Sequence, residues 1–503
     1  MASLTIPETV RAQAGGYRRI PVAKTLPLPA GTPVDIFKIL KNVSRQCFIL
    51  ESLEDSGNWG RYTFIGYDPK LEITCTNGNL SIKNGTDIRL SVKDPGAYIK
   101  QIIEENRGPQ PADLPPFTGG LVGYFSYDYI KYSEPSLNLD AADEENFKDV
   151  DLMLFDKIVA WDRLEEKLIL IVNIKTDALE ENYNRALGEL EAMAVLIASG
   201  NAAVIKPLKI LSPFRPLFDK AQYCSMVEKA KHHIREGDIF QVVLSNRLEA
   251  DVEGSLFDTY RILREINPSP YMFYFSSDDG GSAKGVFEIA GASPETLVKL
   301  QDGNLFTFPL AGTRPRGKTP GEDAALEKEL LADPKELAEH NMLVDLGRND
   351  IGKISEFGSV EVMKYKSIER FSHVMHIGST VKGKIRSDKT ALDAVDAVLP
   401  AGTLSGAPKI RACQIINELE NNKRGIYGGA IGYISFSGNL DTCIAIRIAF
   451  KKNGKVFVRS GAGIVADSVP ENEYAECDNK MKAVINALEQ SQNFEQVSGG
   501  VKK

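Results

Sequence analysis

Thiols are scarce in this 503-residue chain, and the few there are lie far apart. Its six cysteines, Cys47, Cys75, Cys224, Cys413, Cys443 and Cys477, make no C-x-x-C pair and no finger-like spacing. That speaks against a structural zinc site and predicts reduced, buried thiols. Long apolar runs are missing too. None approaches the roughly 20 residues that cross a bilayer, and residues 1–19 lack the apolar core and cleavage pattern of a secretory signal. The expected compartment is the cytoplasm, with no membrane partner. There is no basic excess: the formal net charge is −8. A broad nucleic-acid-binding surface is therefore not expected, and an anionic ligand would need a locally basic pocket. Internal repeats and low-complexity segments are absent.

The bulk composition, 43% hydrophobic and 25% charged, is that of an ordinary globular enzyme with two or more domains or one large body. Short apolar or alternating runs predict strands at 47–50, 71–75 and 80–82, the last two joined by a turn at Asn77-Gly78. Runs at 152–155, 157–161 and 167–172 repeat the pattern. A helix is expected over 179–198, followed by a breaker-rich stretch through Pro207, Pro213 and Pro216. Beyond it, helices are expected at 220–236, 256–266, 322–331, 336–346, 391–399 and 410–419, and strands at 241–248, 271–275, 430–435, 442–450 and 455–459. Strands and helices do not alternate strictly. The fold class predicted is α+β, with large antiparallel sheets and flanking helices. The expected regions are 1–200 and 210–490, with a flexible tail at 491–503.

Two segments carry glutamates three residues apart, Glu336 with Glu339 and Glu473 with Glu476; Lys480 follows one turn on. Positions i and i+3 share a helix face. Two such faces together would suit a hard cation such as Mg²⁺, although solvated helices show the same pattern. Asp333, Pro334 and Glu336 fit a helix N-terminus with a capping box, as do Ser468 and Glu471. The Gly402-to-Lys409 turn precedes a helix and could offer backbone amides to an anion, or it could be a plain turn. Ser460-Gly461-Ala462-Gly463 allows close backbone approach. Arg447 is the odd polar residue in an apolar run, where alternation groups it with Cys443, Ala445 and Ala449; it suits a carboxylate or an edge facing water. His373 and His376 are candidates for proton transfer.

Longer strings decide between these readings. Residues 308–317 (FPLAGTRPRG), 339–350 (EHNMLVDLGRND), 400–412 and 470–480 resemble the chorismate-utilising enzymes, and within them the anthranilate-forming branch. The likeness covers nearly all of residues 1–490. It implies conversion of chorismate and ammonia to anthranilate and pyruvate with Mg²⁺. By that resemblance Glu339 and Glu476 would bind the metal directly, with Glu336 and Glu473 completing the shell. Arg447, Tyr427, Gly461, Ala462 and Gly463 would hold the enolpyruvyl carboxylate, Lys480 would add charge, and Gly312 with Thr313 would line the ring site. Glu295 would be the general acid for the departing hydroxyl, and His376 would assist loss of pyruvate. Water-adding relatives carry a lysine base where this chain has Gln241. Aminodeoxychorismate-forming relatives often carry a lysine where it has Ala311. The region 1–200 resembles the regulatory half of the family, with a tryptophan pocket formed by Glu51, Ser52, Arg61, Pro270, Tyr271, Met272 and Phe273; Tyr271 and Met272 would pack the ligand ring. No nucleophile elbow with a glycine-flanked cysteine is read, so a fused glutaminase is not expected, and the resemblance implies a separate glutamine amidotransferase subunit, in a heterotetramer.

Overall fold

Side-chain alternation sorts the strands into two sheets that share an aromatic core. The computed structural model describes residues 8–53, 60–278, 285–371 and 374–493. Among these, 13 strands form one sheet and 12 the other, in antiparallel ladders. In Gly120–Phe125, Val122 and Tyr124 point between the sheets while Leu121 and Phe125 point outward; in Ala430–Ser435, Ile431 and Tyr433 point in and Ala430 and Ile434 out. This period of two builds the shared layer. It holds Phe48, Phe155, Phe273 and Phe457, with Phe48 and Phe155 edge to face at 4.8 Å.

Helices cover the outer faces. Pro33–Val43, Leu179–Ser199, Lys220–Arg235, Phe257–Ile266, Lys409–Glu420 and Pro470–Ser491 lie on the first sheet. Pro95–Glu105, Pro334–Gly352 and Ala391–Val398 lie on the second. Each buried Leu, Ile or Phe on these stripes contributes about 1.5–3 kcal/mol relative to exposure. The α+β sandwich flanked by helices is the fold class expected. The Asn77-Gly78 turn forms as predicted, with both residues at positive φ (47° and 77°) between Leu71–Thr76 and Asn79–Asn84. Of the six cysteines, all free, five are buried. No helix among the described residues is long and apolar enough to cross a membrane.

The regions 1–200 and 210–490 share both sheets. Cys47–Glu51 pairs with Tyr271–Asp278, and Gly120–Phe125 with Ala430–Ser435. The proline-rich passage pairs Lys209–Ile210 and Arg215–Pro216 onto Gln241–Glu253, so it is a path within the body. Of the expected tail, Ser491 is a buried helical residue, and 494–503 lie outside the described residues.

One expected strand needs correction. The run 442–450 is two strands, Leu440–Ile444 in the second sheet and Ile448–Lys452 in the first. The chain crosses between sheets at 445–447, where Arg447 takes φ 51°. Residues buried on both faces give a continuous apolar run whether the chain goes straight or turns.

Candidate active site

A second crossing runs beside the first. Val286–Ser293 belongs to one sheet and Thr296–Gln301 to the other, with Pro294-Glu295 between them. The crossings are stitched together by Ile444 N donating to Glu295 O (2.9 Å) and Ala292 N to Arg447 O (3.2 Å). Glu295 and Arg447 are thus held where strand pairing stops. Burial pushes the Glu295 carboxyl up to about 7, against a hydrogen bond from Thr403 and the charges of Arg447 and Lys480. Thr403 Oγ1 donates to Glu295 Oε1 at 3.0 Å, leaving the other oxygen to carry a proton. Burial draws Arg447 down from its ordinary value, and Glu295 pulls the other way. Arg447 is part-buried at a crossing rather than lined up with Cys443, Ala445 and Ala449 on one strand face. Thr403 was not singled out from sequence, though it lies in the Gly402-to-Lys409 turn.

Gln241 and the 461–463 backbone meet on paired strands, Gln241–Glu253 and Lys455–Ile464. Cβ atoms added at Gly461 and Gly463 would come within 3.2 Å of Tyr427 Oη and 2.9 Å of Gln241 Nε2. Glycine there lets both buried side chains reach the backbone. Lys480 Nζ donates to Gly461 O (3.1 Å) and pairs with Glu476 (2.7 Å). Ala462 turns its methyl into the core of the first sheet, so only its backbone is available to a ligand.

Gly312 and Thr313 lie in a bulge between Leu310–Pro315 and Val374–Lys384. Gly312 has φ +66°, and a Cβ there would sit 2.9 Å from Leu330 Cδ1 and 3.1 Å from Glu336 Oε2. The bulge turns the Gly312 carbonyl to His376 Nδ1 (2.7 Å), with Thr313 Oγ1 at 3.2 Å. A carbonyl only accepts, so Nδ1 carries the hydrogen and Nε2 keeps a lone pair. Burial lowers His376 from its ordinary value, partly offset by the Gly312 bond, which favours the neutral base. His373 lies outside the described residues.

The glutamate pairs sit on Pro334–Gly352 and Pro470–Ser491. Desolvation by its surroundings raises the Glu339 carboxyl, and the charges of Glu336 and Glu476 raise it further. Glu473 is raised by burial and by Glu476, against a hydrogen bond with Ser468. Among the described residues no group of three or more His, Cys, Asp or Glu side chains is close enough together to hold a metal ion as it stands. What is present is a set of carboxylates that raise one another, Glu339 with Glu336 and Glu476, and Glu473 with Glu476, and in chemical type such oxygen donors suit a hard divalent cation. The capping expectations change. Asp333 Oδ1 accepts from the amides of Lys335 and Glu336, but Glu336 turns to Arg314 (3.6 Å). At the other helix Val469 is the N-cap, and its apolar side chain can make no cap bond; Ser468 lies one residue earlier, where its Oγ accepts from Val465 N.

In the region 1–200, the Glu51 side chain is fully enclosed. It accepts from Arg163 (2.8 Å), Arg264 Nε (2.6 Å) and the Tyr260 hydroxyl. It has little capacity left for a ligand amine. Ser52 Oγ is buried without a hydrogen-bond partner among the described residues. Arg61 is held by Asp162 in a two-bond fork. Pro270 is part-buried at the entry to Tyr271–Asp278. The shared ring contact for Tyr271 and Met272 is corrected. Neighbouring strand residues face opposite ways: Met272 lies on the Glu51 side, while Tyr271 and Phe273 face the inter-sheet core. The Tyr271 hydroxyl also donates to Asp441 (2.8 Å).

Comparison with known proteins places this geometry. The family model for chorismate binding enzymes matches residues 45–486. The chain belongs to the chorismate-binding enzymes. It is 46% identical over 499 residues to an anthranilate synthase component 1 of Acinetobacter calcoaceticus, covering 98% of this chain and 99% of that one. It is 45% identical over 493 residues to one of Acetivibrio thermocellus, covering 96% and 98%. The crystal structure of anthranilate synthase component I from Streptococcus pneumoniae superposes with a TM-score of 0.73 at 40% identity, over 86% of this chain and 93% of that one. The chain is thus similar in sequence along nearly its whole length to these component 1 proteins.

Proposed function

We propose that this chorismate-binding enzyme is the large subunit of an anthranilate synthase, converting chorismate and ammonia to anthranilate and pyruvate. The full-length likeness to component 1 proteins carries the reading. Site chemistry supports it: Gln241 can hydrogen-bond to ammonia but cannot deprotonate water, and ammonia needs no deprotonation to attack. Arg447, Tyr427 and the 461–463 backbone hold the enolpyruvyl carboxylate. Protonated Glu295 delivers its proton to the departing hydroxyl, and His376 Nε2 takes one up as pyruvate leaves. Mg²⁺ held by Glu339 and Glu476, with Glu336 and Glu473 around them, would bind the ring carboxylate and withdraw charge from the ring. A separate glutamine amidotransferase subunit supplies the ammonia, in a heterotetramer in the cytoplasm. Chorismate, Mg²⁺ and ammonium together are expected to give fluorescent anthranilate without that subunit. A different product, such as isochorismate or aminodeoxychorismate, would overturn the reading.

Feedback by L-tryptophan is part of the proposal, at Ser52 with Met272 and Pro270. Ser52→Phe puts a bulky ring where the buried Ser52 hydroxyl stands. It is expected to raise the half-inhibiting tryptophan concentration at least about tenfold, a loss of about 1.4 kcal/mol, with turnover kept. Unchanged inhibition would remove the pocket from this place. Ser52 is a cleaner probe than Glu51, whose removal leaves two arginines facing each other and costs about 3–5 kcal/mol of stability.

A further inference from the structure

Beneath the substrate-facing residues lies a charged cluster that the reaction scheme does not use. Glu420 and Arg424 are each 1% exposed, and Arg459 is 0%. Glu420 Oε1 accepts from Arg424 Nη2 (2.5 Å), Ser245 N (2.8 Å) and Ser245 Oγ (3.0 Å). Its Oε2 accepts from Arg424 Nε (2.9 Å) and Arg459 Nη2 (2.7 Å). The remaining guanidinium hydrogens reach Leu404 O (2.6 Å), Val243 O (2.7 Å), Asn422 Oδ1 (2.9 Å) and Lys423 O (3.2 Å).

Those partners belong to segments that each carry a site residue. Leu404 follows Thr403, Val243 is two residues from Gln241, Arg459 two from Gly461, and Arg424 three from Tyr427. The carboxylate and its two guanidiniums therefore tie four site-bearing segments together. Two guanidiniums share that carboxylate, so positive charge is in excess. The Arg424 guanidinium lies over the Tyr127 ring at 4.6 Å and 6.0 Å from the Tyr427 ring. A buried ion cluster is a poor device for stability alone, since apolar replacements often do as well. Beneath a site for a dianion, the excess charge has a use.

We propose that Arg424 and Arg459, held by Glu420, are positioning residues for the substrate: they fix Tyr427 and the 461–463 backbone against a carboxylate and place uncompensated positive charge under it. This rests on the reading of the site given above. The test is a cycle of Arg424→Lys, Tyr427→Phe and the double variant in the full chain. Chorismate affinity is read as KM during turnover and as Kd by calorimetry without ammonium. Arg424→Lys is expected to raise both about tenfold with kcat nearly unchanged, and to add little once Tyr427 is phenylalanine. A purely structural cluster would lower Tm and the active fraction with affinity unmoved; that result, or additive effects, would overturn the proposal. If Arg424→Lys does not fold, Ser245→Ala withdraws the hydroxyl shared by Glu420 and Arg459 (2.8 Å to Arg459 Nε). It is expected to weaken chorismate about threefold, a modest coupled effect, and unchanged affinity there would also overturn the proposal. Chorismate Kd is measured whatever product forms, so absence of anthranilate from the unmodified enzyme counts against the proposed function and not against the cluster.

Discussion

Glu295→Gln is expected to lower kcat about 10³-fold, the middle of the range for a positioned general acid, while the protein stays folded. Glutamine keeps the bond from Thr403 but has no acidic proton for the departing hydroxyl. The pH profile is the sharper readout. With the carboxyl at about 7 in the free enzyme, kcat/KM should be level below that pH and fall tenfold per unit above it. A bound dianion raises the carboxyl further, so kcat should break at a higher pH than kcat/KM. The variant should lose both breaks. A fall above pH 7 that persists in Glu295→Gln would assign the acid elsewhere.

Stability gives an independent check through the same group. The folded carboxyl lies above its ordinary value of 4.5. Its preference for the neutral form therefore supports the fold fully below about 4.5 and is lost as pH rises through about 7. The shift corresponds to at most about 3 kcal/mol, and to about 1–2 kcal/mol after allowing for solvent at the part-buried side chain. Glutamine never ionises. Denaturant unfolding should find wild type and variant alike near pH 4 and the variant more stable by that amount at pH 8.

The residues of this site differ in how far sequence alone exposes them, and the reasons are physical. Local patterns are short-ranged, so the Asn77-Gly78 hairpin and the helix Lys220–Arg235 are readable from the chain. The crossings at Glu295 and Arg447 are not, because their flanking strands are apolar on both faces and strand partners are set by residues well over a hundred positions away. Family motifs point to Glu295 and Arg447 without telling why they are exposed to each other; the crossings supply the reason. Thr403 looks like a turn residue until Glu295 is seen beside it. Glu420 and Arg424 form an i, i+4 pair that in sequence describes any solvated helix end, and only burial on all sides distinguishes it. Ser468 shows the opposite error: a good capping residue at a plausible spacing that sits one residue before the N-cap Val469 and bonds Val465 N instead.

Glu339→Gln is expected to abolish Mg²⁺-dependent turnover, by at least about 100-fold given what even outer-shell changes cost at metal sites. It should also erase the stabilisation that Mg²⁺ gives. An ion that binds only the folded state at about one hundred times its Kd adds about 2.7 kcal/mol, read as a rise in Tm at ionic strength matched with NaCl, which separates binding from screening. In the absence of Mg²⁺ the direction reverses. The Glu339 carboxyl is raised by its surroundings and by Glu336 and Glu476, so removing its charge should leave the metal-free protein as stable as before or more so. Glu336→Gln should behave differently, since Glu336 also stands against Arg314 in the acidic first turn of its helix: part of its loss should appear in Tm without Mg²⁺. An undiminished Mg²⁺ response in Glu339→Gln would move the cation away from these two helices. A lost response with turnover intact would leave the ion structural and separate it from the chemistry at Glu295.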